Sequence, residues 1–264
     1  MLHQRCSLTS RPFRHLYVAR IAVVGGPRAE SGILLAVARL NEFGQPIGDH
    51  LASWEPPGMI PHLVLEGDSV RLTPLEPSHA PMVYPAFHNA EDLWTYMPFG
   101  PFDSISDLES EFQQVTTRPD WRAFVIETTD GLVGFLAYLR IQPHDGAIEI
   151  GSIVYSPQLQ RTTAATATQY LLLNHAFESG YRRVEWKCDD LNAPSRRAAD
   201  RLGYLYEGTF RMATHYKGQS RDTAWYAITI DRWPPIKRAM EAWLAPDNFD
   251  DNGKQLTSLS DLMT

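Results

Sequence analysis

The sequence predicts an α/β (α+β) fold, a mixed and mostly antiparallel sheet of six to seven strands with helices on both faces. The first observation behind this prediction is a set of three strand-like runs between residues 122 and 155, separated by the turn signals Asp130-Gly131 and Asp145-Gly146. The second is the change of period that follows, from an amphipathic helix back to a strand, which is typical of a βαβ crossover. A hairpin set followed by a crossover requires a sheet that contains both strand directions.

The elements are expected in the order β-α-α-β-β-β-α-β-α-β-β. Apolar and β-branched runs predict strands at residues 69–75, 122–128, 133–141, 147–155, 183–188, 209–216 and 223–230. Helix-start signals predict helices at residues 77–88, which open with Pro and Ser, and at residues 106–116, which open with Ser and acids. Apolar residues at helical spacing predict helices at residues 164–178 and 234–244. A further short helix begins after Asn192, which can cap it, and stops at Gly203.

The chain divides into three predicted regions. Residues 1–67 are predicted to be an N-terminal extension and a Pro/Gly-rich arm without packed elements, because proline removes backbone donors and fixes φ. Residues 68–245 contain all the predicted strands and helices and are expected to form one folded domain. Residues 246–264 are polar and acidic, and they are predicted to be a disordered tail.

Composition restricts the classes of partner. The chain of 264 residues is 44% hydrophobic and 21% charged, which is ordinary for a globular protein with a sizeable core. Its net charge of −7 argues against a nucleic-acid partner and favours cationic ligands such as amines. Its apolar runs are too short to cross a bilayer, so no membrane partner is expected. Cys6 and Cys188 form no close pair, so neither a metal nor a disulfide is expected. A monomer and a homodimer both remain open.

The cysteine usage favours a reducing compartment and thus a cytoplasmic protein. The start of the chain points to an alternative, because its first 29 residues contain five arginines and no acid before Glu30. An Arg-rich and acid-free start is typical of a mitochondrial targeting segment. Residues 1–40 are either such a segment or an unstructured extension upstream of the true start, and both interpretations stay open.

Three segments carry motifs in a defined order: IEIGSIVYSPQLQRTTAAT, then NAPSRRAADRLGY, then EGTF with HYKGQSRDTAWYAI. Together with the opening VRLTPLEPSHAPMVY they cover about two-thirds of the chain. In this order and spacing they resemble the GCN5-related N-acetyltransferase (GNAT) family, and within it the ribosomal-protein-acetyltransferase (RimJ/RimL-type) branch. The resemblance implies the GNAT fold and acetyl-CoA as acyl donor. It also implies an acceptor site built from the variable segment Asn89–Asp120 and the turn at residues 217–221.

The resemblance places acetyl-CoA at the loop and helix that follow the third hairpin strand. Unpaired N–H groups at the start of such a helix point at the pyrophosphate. The branch usually has two glycines in this loop, whereas this chain has arginine and threonine, whose side chains can contact phosphate. The residues that the resemblance assigns to acetyl-CoA are Ile153, Val154, Tyr155, Gln160, Arg161, Thr162, Thr163, Ala164, Ala165, Thr166, Asn192 and Ser195.

Glu149 is the first candidate for the base that deprotonates the acceptor amine. It lies just before the cofactor loop between Ile148 and Ile150, so its side chain projects away from theirs. A carboxylate in a partly buried strand can have a raised pKa that suits proton abstraction. The alternative role is that of a surface acid on a half-exposed strand. Glu185 and Asp189, on the next strand, are further candidates.

Two residues compete for the role of the acid that protonates the leaving thiolate. The resemblance favours Ser195, because the branch has a serine after its asparagine and this chain reads Asn192-Ala193-Pro194-Ser195. Other family members use a tyrosine near this helix, which favours Tyr204. A helix cap and a core aromatic are the respective structural alternatives. The resemblance also implies that a backbone N–H near Ile153–Tyr155 stabilises the carbonyl oxygen.

The predicted function is therefore an N-acetyltransferase that moves an acetyl group directly from acetyl-CoA to a primary amine. The acceptor is either a protein N-terminus or a small-molecule amine. The alternative is a non-catalytic acyl-CoA-binding or regulatory module on the same fold, which the missing loop glycines favour.

Overall fold

A computed structural model describes residues 39–51 and 53–264. The predictions for the Arg-rich start fall almost entirely outside these residues. The chain divides into two units, Met1–Ala52 and Ser53–Thr264. In the described part of the first unit, β1 (Arg39–Leu40) pairs with β2 (Pro46–Ile47) as an antiparallel hairpin.

The second unit is built on one sheet of eight strands. They are β3 (Leu65–Glu66), β4 (Arg71–Pro74), β5 (Arg122–Thr128), β6 (Gly131–Gln142), β7 (Ala147–Tyr155), β8 (Arg183–Asp189), β9 (Leu205–Tyr216) and β10 (Gln219–Thr229). The order across the sheet is β3-β4-β5-β6-β7-β8-β10-β9, and β7–β8 is its one parallel pair. The mixed, mostly antiparallel sheet is confirmed. It has one strand more than predicted, because Leu65–Glu66 pairs with the start of β4.

Helices cover both faces of the sheet. They are α1 (Ala80–Val83), α2 (Ile105–Thr116), α3 (Thr163–Glu178), α4 (Ala193–Arg201), α5 (Trp233–Leu244) and α6 (Leu259–Leu262). One hydrophobic cluster lies on each face of the sheet. On one face Val83 and Phe112 of α1 and α2 pack with Phe135 of β6. On the other face the helices from α3 onward pack against Ile148 and Ile150. These two faces are called the α2 face and the α3 face below.

The helix predicted at residues 77–88 is wrong as a single element. The segment is a short α1 flanked by two 3₁₀ turns, Pro77–His79 and Tyr84–Phe87. Proline removes a helix donor and clashes with the preceding turn, and prolines recur here at residues 77, 81 and 85. The other helix predictions agree with the structure to within a few residues at each end.

The segments that flank the predicted domain are packed against it. Residues 53–67 are extended, as the prolines require, but Ile60 is buried and Tyr181 Oη donates a hydrogen bond to the carbonyl of Gly58 at 3.1 Å. The disordered tail predicted at residues 246–264 is also wrong. Asn248 Nδ2 donates to the carbonyl of Trp243 at 3.1 Å, and Leu259 of α6 is only 1% exposed. A single well-placed leucine and an asparagine that closes the turn order this polar segment.

Among the described residues, none of the helices combines the length and the apolar character that a bilayer crossing requires.

Candidate active site

The strands β7 and β8 pair only over their first residues and then separate. Their parallel partners are Ala147–Arg183, Ile148–Val184 and Glu149–Glu185. Beyond Glu149, β7 continues to Tyr155 without a β8 partner, so its edge facing β8 is free of strand pairing. This gap is called the split. It is bordered by Ile153, Val154 and Tyr155, three of the residues that the resemblance assigned to acetyl-CoA.

A β-bulge distorts β7 at the split. The register with β6 shifts between Gly151 and Val154, and Ser152 has a φ of +52°. The bulge reverses the alternation of side chains, since Ile153 and Tyr155 pack on the α3 face while Val154 packs on the α2 face. A bulge leaves its extra residue outside the regular ladder. Because β7 also has no β8 partner beyond Glu149, its backbone groups near Ile153 on the β8 side are available to a ligand in the split.

Glu149 lies at the point where the split begins, on the face opposite Ile148 and Ile150. It is 5% exposed, and its Oε2 accepts a hydrogen bond from Lys187 Nζ at 2.7 Å and lies 3.5 Å from Arg140 Nε. Its Oε1 has no hydrogen-bond donor among the described residues. A Cβ added at Gly151 would lie 3.0 Å from Oε1 and 2.9 Å from a methyl of Leu139. Glycine at position 151 thus makes room for the free oxygen.

The three predicted carboxylates differ in their electrostatic surroundings. Burial raises the pKa of Glu149, and Lys187 and Arg140 offset part of that rise. Burial also acts to raise the pKa of Glu185, but hydrogen bonds from Lys187 and Arg183 outweigh it and leave that pKa lowered. Of Glu149 and Glu185, only Glu149 has a raised pKa, which is the direction that favours proton abstraction.

Asp189 has a structural position instead. Its Oδ1 accepts a hydrogen bond from the backbone N–H of Leu191 at 2.9 Å, and its Oδ2 accepts one from Tyr216 Oη at 2.8 Å. Both oxygens are therefore engaged in fixing the loop before α4 and the end of β9.

The N-terminus of α3 presents free donors. Thr162 caps the helix, because its Oγ1 accepts a hydrogen bond from the N–H of Ala165 at 3.1 Å. The N–H groups of Thr163 and Ala164 have no acceptor among the described residues. Gln160 Nε2 donates to the carbonyl of Tyr155 at 3.0 Å and ties the loop to the end of β7. These donors next to the split fit the pyrophosphate of acetyl-CoA.

The loop follows a glycine-like backbone path although it contains no glycine. Arg161 has a φ of +63°, in the left-handed region that favours glycine. Its side chain is exposed and lies directly before the helix cap Thr162. Arg161 thus has a backbone conformation that favours glycine, and its cationic side chain lies next to the N-terminus of α3.

Residues 69–205 match the family model of the acetyltransferase (GNAT) domain. The chain belongs to the GNAT family. The predicted family is confirmed, and its members are acyl-CoA-dependent N-acetyltransferases that use acetyl-CoA.

Individual relatives support the assignment. A GCN5-related N-acetyltransferase from Brucella melitensis is 37% identical, with a TM-score of 0.78 over 81% of this chain and 99% of that one. The ribosomal-protein-serine acetyltransferase of Escherichia coli K12 is 29% identical over 110 residues, 42% of this chain and 62% of that protein. The match thus spans less than two-thirds of this relative. The Salmonella typhimurium acetyltransferase that modifies the N-terminal serine of ribosomal protein L7/L12 shares the fold, with 22% identity and a TM-score of 0.56 over 65% of this chain and 99% of that one.

The two acid candidates of this GNAT domain lie on the α3 face. Ser195 is in the first turn of α4, where its N–H donates to Asn192 Oδ1 at 3.1 Å and its Oγ accepts from Trp186 Nε1 at 3.0 Å. Tyr204 is 4% exposed, and its Oη has no hydrogen-bond partner among the described residues. Burial raises the pKa of Tyr204, and the nearby Tyr155 and Glu149 raise it further.

A buried hydroxyl without a partner costs free energy until a ligand satisfies it. A ligand in the split would supply the hydrogen-bond partner that Tyr204 Oη lacks among the described residues. Because Tyr204 and Ser195 lie on the α3 face and Glu149 on the other, the split separates the candidate acids from the candidate base.

Several residues around Glu149 were missed by sequence reasoning. The side chain of Lys187 is 8% exposed, contacts both Glu149 and Glu185, and has its Nζ 3.8 Å from the ring centroid of Trp225. The alternation of Glu185, Lys187 and Asp189 along β8 places these three polar side chains on one face. That pattern was the signal for a charged cluster, but the pairing of Lys187 with Glu149 depends on strand register.

A cavity of about 330 Å³ opens among aromatic and acidic side chains beside α1. Its lining residues are Tyr84, Phe87, His88, Asn89, Glu91, Trp94, Pro101, Phe102 and Asp103. None of the predicted catalytic or acetyl-CoA-binding residues lines it, but six of its lining residues, Asn89, Glu91, Trp94, Pro101, Phe102 and Asp103, belong to the segment Asn89–Asp120 that the resemblance assigned to the acceptor site. Lys217, in the turn between β9 and β10, donates from Nζ to the carbonyl of Trp94 at 2.7 Å. The two segments that the resemblance assigned to the acceptor site therefore contact each other.

Proposed function

We propose that this chain transfers an acetyl group directly from acetyl-CoA to a primary amine, with Glu149 as the base. The observation that carries the proposal is a buried carboxylate at the start of the split, with one oxygen tied to cations and the other without a donor. Its raised pKa suits proton abstraction from an ammonium group near neutral pH.

Acetyl-CoA would be held by the α3 N-terminus and by the edge of β7. The N–H groups of Thr163 and Ala164, with the side chain of Arg161, are the proposed pyrophosphate ligands. The remaining proposed contacts are Ile153, Val154, Tyr155, Gln160, Thr162, Ala165, Thr166, Asn192 and Ser195. Bound acetyl-CoA supplies the acetyl group as a thioester, from which a neutral amine displaces the CoA thiol.

The protein side chains handle the protons. Glu149 Oε1 takes the proton of the acceptor ammonium on the α2 face, and a backbone N–H of Ile153–Tyr155 stabilises the carbonyl oxygen. Tyr204 or Ser195 donates a proton to the leaving thiolate from the α3 face, and the second proton lost by the attacking nitrogen restores that hydroxyl through solvent. Tyr204 is favoured by its unpartnered hydroxyl, whereas the hydroxyl oxygen of Ser195 already accepts from Trp186.

The acceptor amine would reach Glu149 from the α2 face, between the segment that contains Trp94 and the turn at Lys217. A protein N-terminus is one proposed acceptor, supported by the relative named as a ribosomal-protein-serine acetyltransferase. A small-molecule amine is the other. The non-catalytic module rests on the missing loop glycines, and the left-handed φ of Arg161 argues against it because the loop path is preserved.

The test uses the full chain, because Ile60 and Leu259 are part of the core. Calorimetry measures acetyl-CoA binding, and thiol release is followed with serine-starting peptides, polyamines and amino sugars as acceptors. Thiol release that depends on one acceptor class supports transfer and identifies the acceptor. Binding without release on any acceptor would favour the non-catalytic module, and absence of binding would overturn both functions.

A further inference from the structure

We infer that Lys187, assisted by Arg140, positions Glu149 as a base with one defined reactive oxygen. The inference rests on the proposed base role of Glu149. Both cations approach the same carboxylate oxygen, Oε2, at 2.7 Å from Lys187 Nζ and 3.5 Å from Arg140 Nε. Oε1 accepts no hydrogen bond from residues 39–51 or 53–264, and it lies beside Gly151, on the part of β7 that borders the split.

Lys187 is buried to a degree that is unusual for lysine. Its side chain is 8% exposed, lies between the carboxylates of Glu149 and Glu185, and covers the ring of Trp225. A buried ammonium is tolerated only where opposite charge surrounds it. The two carboxylates and the indole face supply that charge, and they leave the Lys187 ammonium little freedom to leave Glu149.

The ammonium of Lys187 contacts both carboxylates, Glu149 at 2.7 Å and Glu185 at 2.8 Å. Glu185 has a second cation, since its Oε1 accepts a hydrogen bond from Arg183 Nε at 2.8 Å, and Arg183 in turn binds Glu207. The groups that face Glu149 are then Arg140 from β6, Lys187 and Glu185 from β8, and the phenol of Tyr204 across the sheet. Of these, Lys187 makes the closest contact.

The sign of the expected effect follows from this arrangement. Burial raises the pKa of Glu149, and Lys187 is the largest influence that opposes it. Without Lys187 the pKa of Glu149 rises further, and a smaller fraction of Glu149 is ionised at a given pH. Because only the ionised form accepts a proton, the acidic limb of the activity profile moves to higher pH.

The experiment compares the full chain with its Lys187→Met, Lys187→Arg and Arg140→Gln variants. The pH profile of kcat/KM is measured by thiol release with the best acceptor, and the Glu149 carboxyl is titrated by ¹³C NMR with Glu149→Gln to assign the signal. We expect Lys187→Met to move both midpoints upward by about one pH unit or more. Lys187→Arg should restore most of the shift, and Arg140→Gln, at a half-exposed position, should shift them less but in the same direction.

The control is Lys237→Met, which removes a lysine paired with Glu178 at 3.3 Å far from the split. It should leave both midpoints unchanged. If Lys187→Met lowers kcat but leaves the midpoints in place, Lys187 is only a packing residue and the inference fails. If Lys187→Met does not fold, the Arg140→Gln titration decides in the same way. If the NMR midpoint moves while the activity profile does not, the electrostatic role of Lys187 stands and Glu149 is not the base.

Discussion

At the scale of single residues, Glu149 illustrates how a carboxylate can remain usable inside a sheet. An isolated buried charge is destabilised by several kcal/mol. Here the charges alternate across three strands, from Arg140 of β6 through Glu149 of β7 to Lys187, Glu185 and Arg183 of β8. Each carboxylate has a cation beside it, yet Glu149 keeps one oxygen free. The neighbouring cations stabilise the ionised carboxylate of Glu149 and leave one of its oxygens able to accept a proton.

Replacement of Glu149 by glutamine should lower turnover by about 10²–10⁴-fold, because general base catalysis contributes on that order. The KM for acetyl-CoA should change little, since Glu149 lies on the face opposite the α3 donors. Steady-state kinetics of thiol release measure both constants. The control is Glu178→Gln, an exposed acid on α3 whose loss should leave turnover unchanged. An unchanged turnover in Glu149→Gln would move the base to Glu185, to Asp189 or to water.

The two acid candidates should separate when stability and turnover are measured together. Tyr204→Phe removes a hydroxyl without a partner, so the free energy of unfolding should stay the same or rise. Its turnover should fall about 10²-fold if Tyr204 protonates the thiolate.

Ser195→Ala leaves the Trp186 N–H unpaired and should lower the free energy of unfolding by about 1–3 kcal/mol. Urea unfolding and thiol release on the same samples check both variants. Loss of turnover in Ser195→Ala but not in Tyr204→Phe, measured where both variants are folded, would assign the acid role to Ser195.

The position of Glu149 was predictable from sequence, because the alternation with Ile148 and Ile150 determines which way the side chain points. Its partners were not. Lys187 and Glu149 are 38 residues apart in sequence, and they meet only because β7 and β8 pair in parallel with Glu149 opposite Glu185. Nothing in a single sequence states that register. The role of Gly151 depends in the same way on a side chain from the neighbouring strand.

At the scale of elements, the loop between β7 and α3 combines two devices. A threonine cap at Thr162 satisfies one orphan donor of the helix, and two further donors at Thr163 and Ala164 remain free for a ligand. The left-handed residue Arg161 directs the chain into that cap. The order strand, loop and helix was readable from sequence, but whether an arginine can adopt the glycine conformation was not.

A matched pair of substitutions tests this loop. Arg161→Ala and Arg161→Gly both remove the cation and should weaken acetyl-CoA binding to the same extent. The left-handed conformation is strained by about 1–2 kcal/mol for residues other than glycine. The free energy of unfolding of Arg161→Gly should therefore exceed that of Arg161→Ala by about 1 kcal/mol. Calorimetry and urea unfolding measure the two effects. Equal stability of the two variants would mean that position 161 carries no backbone strain.

The element that sequence reasoning misjudged most is the segment 77–88. Its opening proline and serine are typical of a helix start, but three prolines four residues apart interrupt the backbone hydrogen bonds and leave short turns. These short turns also shape the cavity beside α1. The 3₁₀ turn that contains Phe87 and the segment after it, which contains Trp94, line the aromatic cavity. If residues 77–88 formed one continuous helix, its last turn would replace the 3₁₀ turn that lines the cavity.

At the scale of the whole molecule, the folded unit extends beyond the predicted domain at both ends. The arm at residues 53–67 stays extended and still packs, with Trp54 Nε1 donating to the carbonyl of Gly180 at 3.2 Å. The C-terminal segment returns to α5, where Trp243 Nε1 donates to Gln255 Oε1 at 2.8 Å. Composition alone predicted neither contact, because a few placed side chains order a polar segment whose average is typical of disorder.

The contribution of the C-terminal segment can be measured with two leucines that lie three residues apart. Leu259 is 1% exposed in the core cluster, whereas Leu256 is 67% exposed. Leu259→Ala should lower the free energy of unfolding by about 2–5 kcal/mol, the range for a buried leucine, and Leu256→Ala should change it by about 0.5 kcal/mol or less. Urea unfolding at one pH compares the two variants with the parent chain. Because α6 packs on the face away from Glu149, the kcat of folded Leu259→Ala should match that of the parent chain. Equal unfolding free energies for the two variants would mean that residues 246–264 add nothing to the fold, and the boundary at Ala245 would then stand.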